Sequence, residues 1–168
     1  LLTMFSQNTN LLLAFLRDHN TARSVLDVFN DLYAMFGREN YCRLFPVILT
    51  DRGNEFSNPV PIEQDENDEL RSLVFYCNPS APYQKGGIEV AHELVRRVLP
   101  KGKSFDDLQQ EDIDLMLSHI NSYKRGKLNS RSAYQLFNFI YGDDILPKLN
   151  IREIEANDIV LSPKLLKK

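Results

Sequence analysis

The chain has little from which to build a disulfide or a zinc site. Its 168 residues include two cysteines and three histidines. Cys42 and Cys77 form no Cys-x-x-Cys pair and sit among apolar residues, which predicts two reduced thiols. A tetrahedral zinc site lacks ligands. Long apolar runs are missing as well: none outlasts the stretch from Leu11 to Leu16, far short of the roughly 20 residues that a membrane-spanning helix needs. No signal-peptide pattern opens the chain. These features predict a cytoplasmic protein with no membrane partner. Positive charge is not in excess, because 20 Lys and Arg face 23 Asp and Glu for a net charge of -3, so total charge does not single out nucleic acid. There is no internal repeat, no low-complexity linker and no initiator methionine. The chain opens at Leu1-Leu2-Thr3, inside a strand-like run, and the expectation is that sequence precedes it.

With 43% hydrophobic residues, a chain of this length can bury one good core. Its charge is unevenly placed. Glu63, Asp65, Glu66, Asp68 and Glu69 crowd one acidic stretch. Arg96, Arg97, Lys101 and Lys103 form one basic cluster, and Lys124, Arg125, Lys127 and Arg131 another. Local patches, more than the total, decide whether a surface grips phosphates. From charge alone, two solvated helix ends are the plainer account.

Periodicity orders the chain. Two apolar runs, 1–6 and 11–16, flank the polar cluster Gln7-Asn8-Thr9-Asn10 and predict a hairpin. Asn20 or Thr21 can cap a helix whose Ala22, Val25, Leu26, Phe29, Leu32, Tyr33 and Phe36 recur at helical spacing until Gly37 ends it. Residues 45–50 read as a buried strand, followed by a loop, a short helix over 66–72 and a strand over 73–76. A helix over 83–99 buries Ile88, Ala91, Leu94, Val95 and Val98 and turns Glu89, His92, Glu93 and Arg96 the other way. Pro100 and Gly102 stop it. Helices over 111–123 and from Ser132 to Gly142 follow, then a helical turn near Ile145 and an irregular tail. The order of elements predicts an α/β architecture, a mixed sheet with helices packed on it.

Two acids stand out. Asp51 ends a strand and Glu89 opens a helix after a Pro/Gly-rich turn. Divalent Mg²⁺ takes hard oxygen ligands, and phosphodiester cleavage uses it to stabilise both the attacking and the leaving oxygen. By spacing alone the same residues also read as a turn aspartate and a glutamate favourable to the helix dipole. His92, one turn from Glu89, reads either as a phosphate contact or as an inert helix histidine. Lys85 with Gly86 and Gly87 reads as a phosphate approach or as a tight turn. Glu93 reads as an ion-pair partner of Arg96 or Arg97, and His19 and His119 as structural.

The segment Thr50-Asp51-Arg52-Gly53-Asn54-Glu55-Phe56 resembles the "TDNGxEF" stretch of DDE transposases. Residues 78–89, Asn-Pro-Ser-Ala-Pro-Tyr-Gln-Lys-Gly-Gly-Ile-Glu, resemble their segment around the last catalytic acid. The continuation over 94–105, with Leu99-Pro100-Lys101-Gly102, is similar to a stretch that marks the IS-thirty family of bacterial insertion-sequence transposases. Arg52, Tyr83 and Ser132-Ala133 depart from the commonest family residues. The resemblance implies a ribonuclease H-like core that cuts and joins DNA with Mg²⁺, or Mn²⁺ as a substitute. In it Asp51 and Glu89 match the second and third metal-binding acids. Lys85, His92, Arg96, Arg97, Lys101 and Lys103 would face DNA, both transposon ends and target. The first acid of the triad is expected upstream of Leu1, on a first strand that this chain lacks, so the chain alone is expected to be inactive. The resemblance further implies homo-oligomers in a bacterial cytoplasm, a catalytic core over 1–142 and a C-terminal extension over 143–168. The competing expectation is a non-catalytic ribonuclease H-like domain, a relic or regulator that binds DNA or a protein.

Overall fold

The computed structural model describes residues 1–78 and 86–166. In chain order its elements are β1 (Leu2–Phe5), β2 (Leu12–Phe15), α1 (Ala22–Leu44), β3 (Val47–Thr50), α2 (Val60–Glu63), β4 (Leu73–Tyr76), α3 (Gly86–Val98), α4 (Gln110–Ser122), β5 (Lys124–Arg125), β6 (Arg131–Ser132) and α5 (Ala133–Tyr141). The chain divides into two compact units, one of residues 1–16 and 85–168 and the other of residues 17–84. The α/β character matches expectation. The single mixed sheet does not: among the described residues the strands pair two by two, β1 with β2, β3 with β4, and β5 with β6. No helix among these residues is long and apolar enough to cross a membrane.

In the unit of residues 1–16 and 85–168, β1 and β2 form the expected antiparallel hairpin, with Leu2 opposite Phe15 and Phe5 opposite Leu12. Asn10 takes the left-handed conformation (φ 58) that closes the loop, a geometry that asparagine tolerates better than most residues. Helix α3 buries Ala91, Leu94, Val95 and Val98 of the stripe read from its periodicity, but Ile88, in its first turn, is only half-buried. Helix α4 buries Ile113, Met116, Leu117 and Ile120 against the hairpin.

The polar side chains of α4 do as much as its apolar ones. Asn121 accepts from the Leu12 amide at 2.9 Å and donates to the Leu12 carbonyl at 2.8 Å. At the other end of the helix, Gln110 accepts from the Leu16 amide at 2.9 Å and donates to the Ala14 carbonyl at 3.1 Å. Two side-chain amides thus pair the outer edge of β2 in place of a further strand, satisfying backbone groups that would be costly to bury unpaired. A neighbouring face of α4 receives the irregular tail: Ser118 and Ser122 accept from the amides of Arg152 and Ile154. Ser132 and Gln135 form a capping box that opens α5, and Gly142, with φ 96, ends it. Ile140 is 47% exposed, because the buried contacts of this short helix are made by Ala133 and Phe137.

In the unit of residues 17–84, Thr21 and Ser24 form the capping box of α1. Gly37 leaves helical geometry (φ 72, ψ 163) but does not end the helix, which resumes to Leu44. Tyr41, fully buried beneath Arg71, and Arg38, paired with Asp65 and Glu69, give the resumed segment its anchorage. The short helix lies at Val60–Glu63 and not over 66–72. The acidic stretch turns instead of coiling because Asp65 Oδ1 accepts from the amides of Asn67 and Glu69, a local bond that competes with helix. Arg71 is buried, bonding the carbonyls of Pro61 and Ile62 and the side chain of Asn30.

Strands β3 and β4 are parallel, with Val47 beside Leu73 and Leu49 beside Phe75. The expectation of a buried β3 is corrected: Val47, Leu49, Leu73 and Phe75 are exposed, by 41 to 56% of their surface. An apolar run marks a strand, but it does not guarantee that both of its faces are covered.

Candidate functional site

Asp51 is held at the end of β3 by a stitched turn. The Cys77 amide donates to the Thr50 carbonyl, the last bond of the parallel ladder, and Asp51 leaves it into solvent. Its Oδ1 accepts from the Gly53 amide at 3.1 Å. A 3₁₀ turn over Asn54–Phe56 follows. The Tyr76 hydroxyl, on the strand paired with β3, donates to the Phe56 carbonyl at 2.5 Å and ties that turn down. Gly53 sits between two carboxylate side chains. A Cβ there would lie 2.7 Å from Glu55 Oε2 and 3.1 Å from Asp51 Oδ1. Two carboxylates therefore flank one glycine, an arrangement of like charges that a cation relieves.

Glu89 stands exposed in the first turn of α3. His92, one turn further, is half-buried, and its Nε2 lies 2.8 Å from the Thr3 hydroxyl on β1. Glu93, Arg96 and Arg97 are exposed along the same helix, and Lys101 and Lys103 are exposed in the turn after it. Residues 79–85 of the motif that ends at Glu89, Lys85 among them, lie outside the described residues. Asp51 belongs to the unit of residues 17–84 and Glu89 to the other. Among the described residues no group of three or more His, Cys, Asp and Glu assembles as a metal site. Taken each by itself, Asp51 and Glu89 are exposed carboxylates of the hard-oxygen kind that suits Mg²⁺, and Asp51 has the Glu55 carboxylate across Gly53.

Sequence reasoning passed over Glu55 and Thr3. Glu55 stood inside the quoted "TDNGxEF"-like segment, which was the available signal. Thr3 carried none, since its partner His92 lies 89 positions away.

Comparison with known proteins gives relatives of one kind. The chain is 29% identical over 137 residues to a Spiroplasma virus SpV1-R8A2 B protein named "Putative integrase ORF3", covering 82% of this chain and 40% of that one. It is 35% identical over 63 residues to the transposase of insertion sequence element IS1086 from Cupriavidus metallidurans, 38% of this chain and 19% of the relative. It is 27% identical over 63 residues to the InsI transposase of element IS30A from Escherichia coli, 38% and 16%. The likeness is to IS30-type transposases. The chain spans less than half the length of these relatives. No family profile and no solved structure matches it. The DDE-transposase resemblance that the sequence carried at residues 50–56 falls on the stitched turn of Asp51, and the IS30-type mark lies further along. Carried at 94–105, that mark falls on the exposed basic end of α3.

Proposed function

We propose that this chain is the catalytic core of an IS30-type transposase, with a ribonuclease H-like arrangement in the full protein, that cleaves DNA at insertion-sequence ends and joins it to a target. Asp51 and Glu89 would hold Mg²⁺ together with a third acid that the family pattern places ahead of Leu1. When bound, the ion supplies Lewis-acid stabilisation of charge at the reacting phosphate. The chain's own residues do the positioning. Gly53 N–H orients the Asp51 carboxylate, and Tyr76 holds the following turn. Arg96, Arg97, Lys101 and Lys103, all exposed, would grip the DNA backbone without reading its sequence. The single observation that carries this reading is the pair of carboxylates, Asp51 and Glu55, converging on Gly53 within the transposase-like segment.

The test is Mg²⁺-dependent nicking of end-bearing DNA by the full-length protein. Asp51→Asn and Glu89→Gln should each lower the rate by a factor on the order of 100 or more, with DNA binding retained. Undiminished nicking in either variant would remove that residue from the site. The competing reading is a non-catalytic domain that binds DNA or a protein. On that reading the full-length protein binds end DNA, never nicks it, and is indifferent to both substitutions.

A further inference from the structure

We propose that Thr3, Phe5, Gly87 and His92 are positioning residues for the Glu89 carboxylate, an inference that rests on the metal-binding reading above. Helix α3 meets β1 at two points that bracket Glu89. Before it, the Gly87 backbone sits directly on the Phe5 ring: a Cβ at this position would lie 2.3 Å from Cε1 and 3.0 Å from Cζ, closer than side-chain contacts permit. After it, His92 Nε2 and Thr3 Oγ1 are hydrogen-bonded at 2.8 Å. Thr3 and Phe5 are two apart on one strand, so both contacts arise on the same face of β1.

The rest of α3 explains why these contacts matter. Its apolar anchorage lies in its second half, where Ala91, Leu94, Val95 and Val98 are buried. Gly87 and Ile88 are only half-buried, and Glu89 and Val90 are exposed. The turn that carries Glu89 is therefore the part that apolar packing holds least. A glycine seated on a ring fixes its height above the strand, and a directional bond one turn later fixes its rotation. Together they aim an exposed carboxylate, and an error of about 1 Å in such aim can cost on the order of 100-fold in function.

The experiment uses Mn²⁺ as a paramagnetic probe and reads broadening of backbone amide resonances around Glu89 in the full-length protein. Thr3→Val and His92→Ala should raise the Mn²⁺ concentration for half-broadening by roughly 10-fold. Thr3→Ser and His92→Gln, which keep the hydroxyl and a nitrogen of similar reach, should restore it. Wild-type midpoints in Thr3→Val and His92→Ala overturn the inference, and so does failure of both conservative variants to restore binding. Glu89→Gln separates the two ideas. If it binds Mn²⁺ as wild type does, the carboxylate reading fails. If it loses binding while Thr3→Val and His92→Ala keep it, only the positioning role fails.

Discussion

His119 is a neutral ring by construction. It is buried on α4, and its Nδ1 accepts from the Val160 amide at 3.1 Å. Burial lowers its pKa below the ordinary 6.5, the Arg152 guanidinium lowers it further, and Asp158 opposes both. The unfolded ring therefore takes up a proton at higher pH than the folded one. Its contribution to stability is full above about pH 6.5 and is lost as pH falls from there through the folded value. Thermal melts at about pH 7.5 and 5.5 should show a drop that His119→Gln reduces. An unchanged pH dependence in that variant would clear His119 of the role. Asp114, on the same helix, works in the opposite sense and in a more acidic window. Burial raises its pKa above 3.8, against bonds from Gln110 and Asn150. Its contribution is full below 3.8 and fades as pH rises through the folded value.

Among the elements, the pairing of α4 with β2 is the joint most exposed to a single substitution. Asn121 satisfies both backbone groups of Leu12 from a fully buried position. Asn121→Leu would leave a buried N–H and C=O without partners, at about 1–3 kcal/mol each. Chemical denaturation should show that loss, and a variant as stable as the parent would show that water or a shifted strand replaces the amide. No sequence pattern announces this joint, since apolar periodicity locates α4 but is blind to what its polar face touches. The hairpin, α1, β4, α3, α4 and α5 were legible because spacing and caps act locally. The resumption of α1 past Gly37 was not, because it depends on Tyr41 beneath Arg71 and on Arg38 reaching Asp65. The turn over 65–69 replaces the start of the helix expected over 66–72, because the Asp65 carboxylate claims the amides that such a helix would need.

For the molecule as a whole, the exposed face of Val47, Leu49, Leu73 and Phe75 is a liability in dilute buffer. Leu49→Thr with Phe75→Lys should reduce self-association in sedimentation experiments and change stability by no more than about 0.5 kcal/mol for each exposed substitution. A large loss of stability would mean that the face is packed and not exposed. The candidate site divides in the same way between local and distant causes. Asp51, Glu89 and the exposed basic end of α3 were legible from short motifs. The Glu55 carboxylate beside Asp51 needed the turn at Gly53, and the Thr3 bond to His92 needed the hairpin to come back against α3.

The amides of Gln110 and Asn121 also decide how the hairpin can grow. A newcomer strand cannot lengthen this sheet beyond β2, because that flank is already occupied from Leu12 to Leu16. Cutting those amides back would do more than loosen a helix. It would hand the sheet an open flank, the condition from which runaway stacking of chains begins.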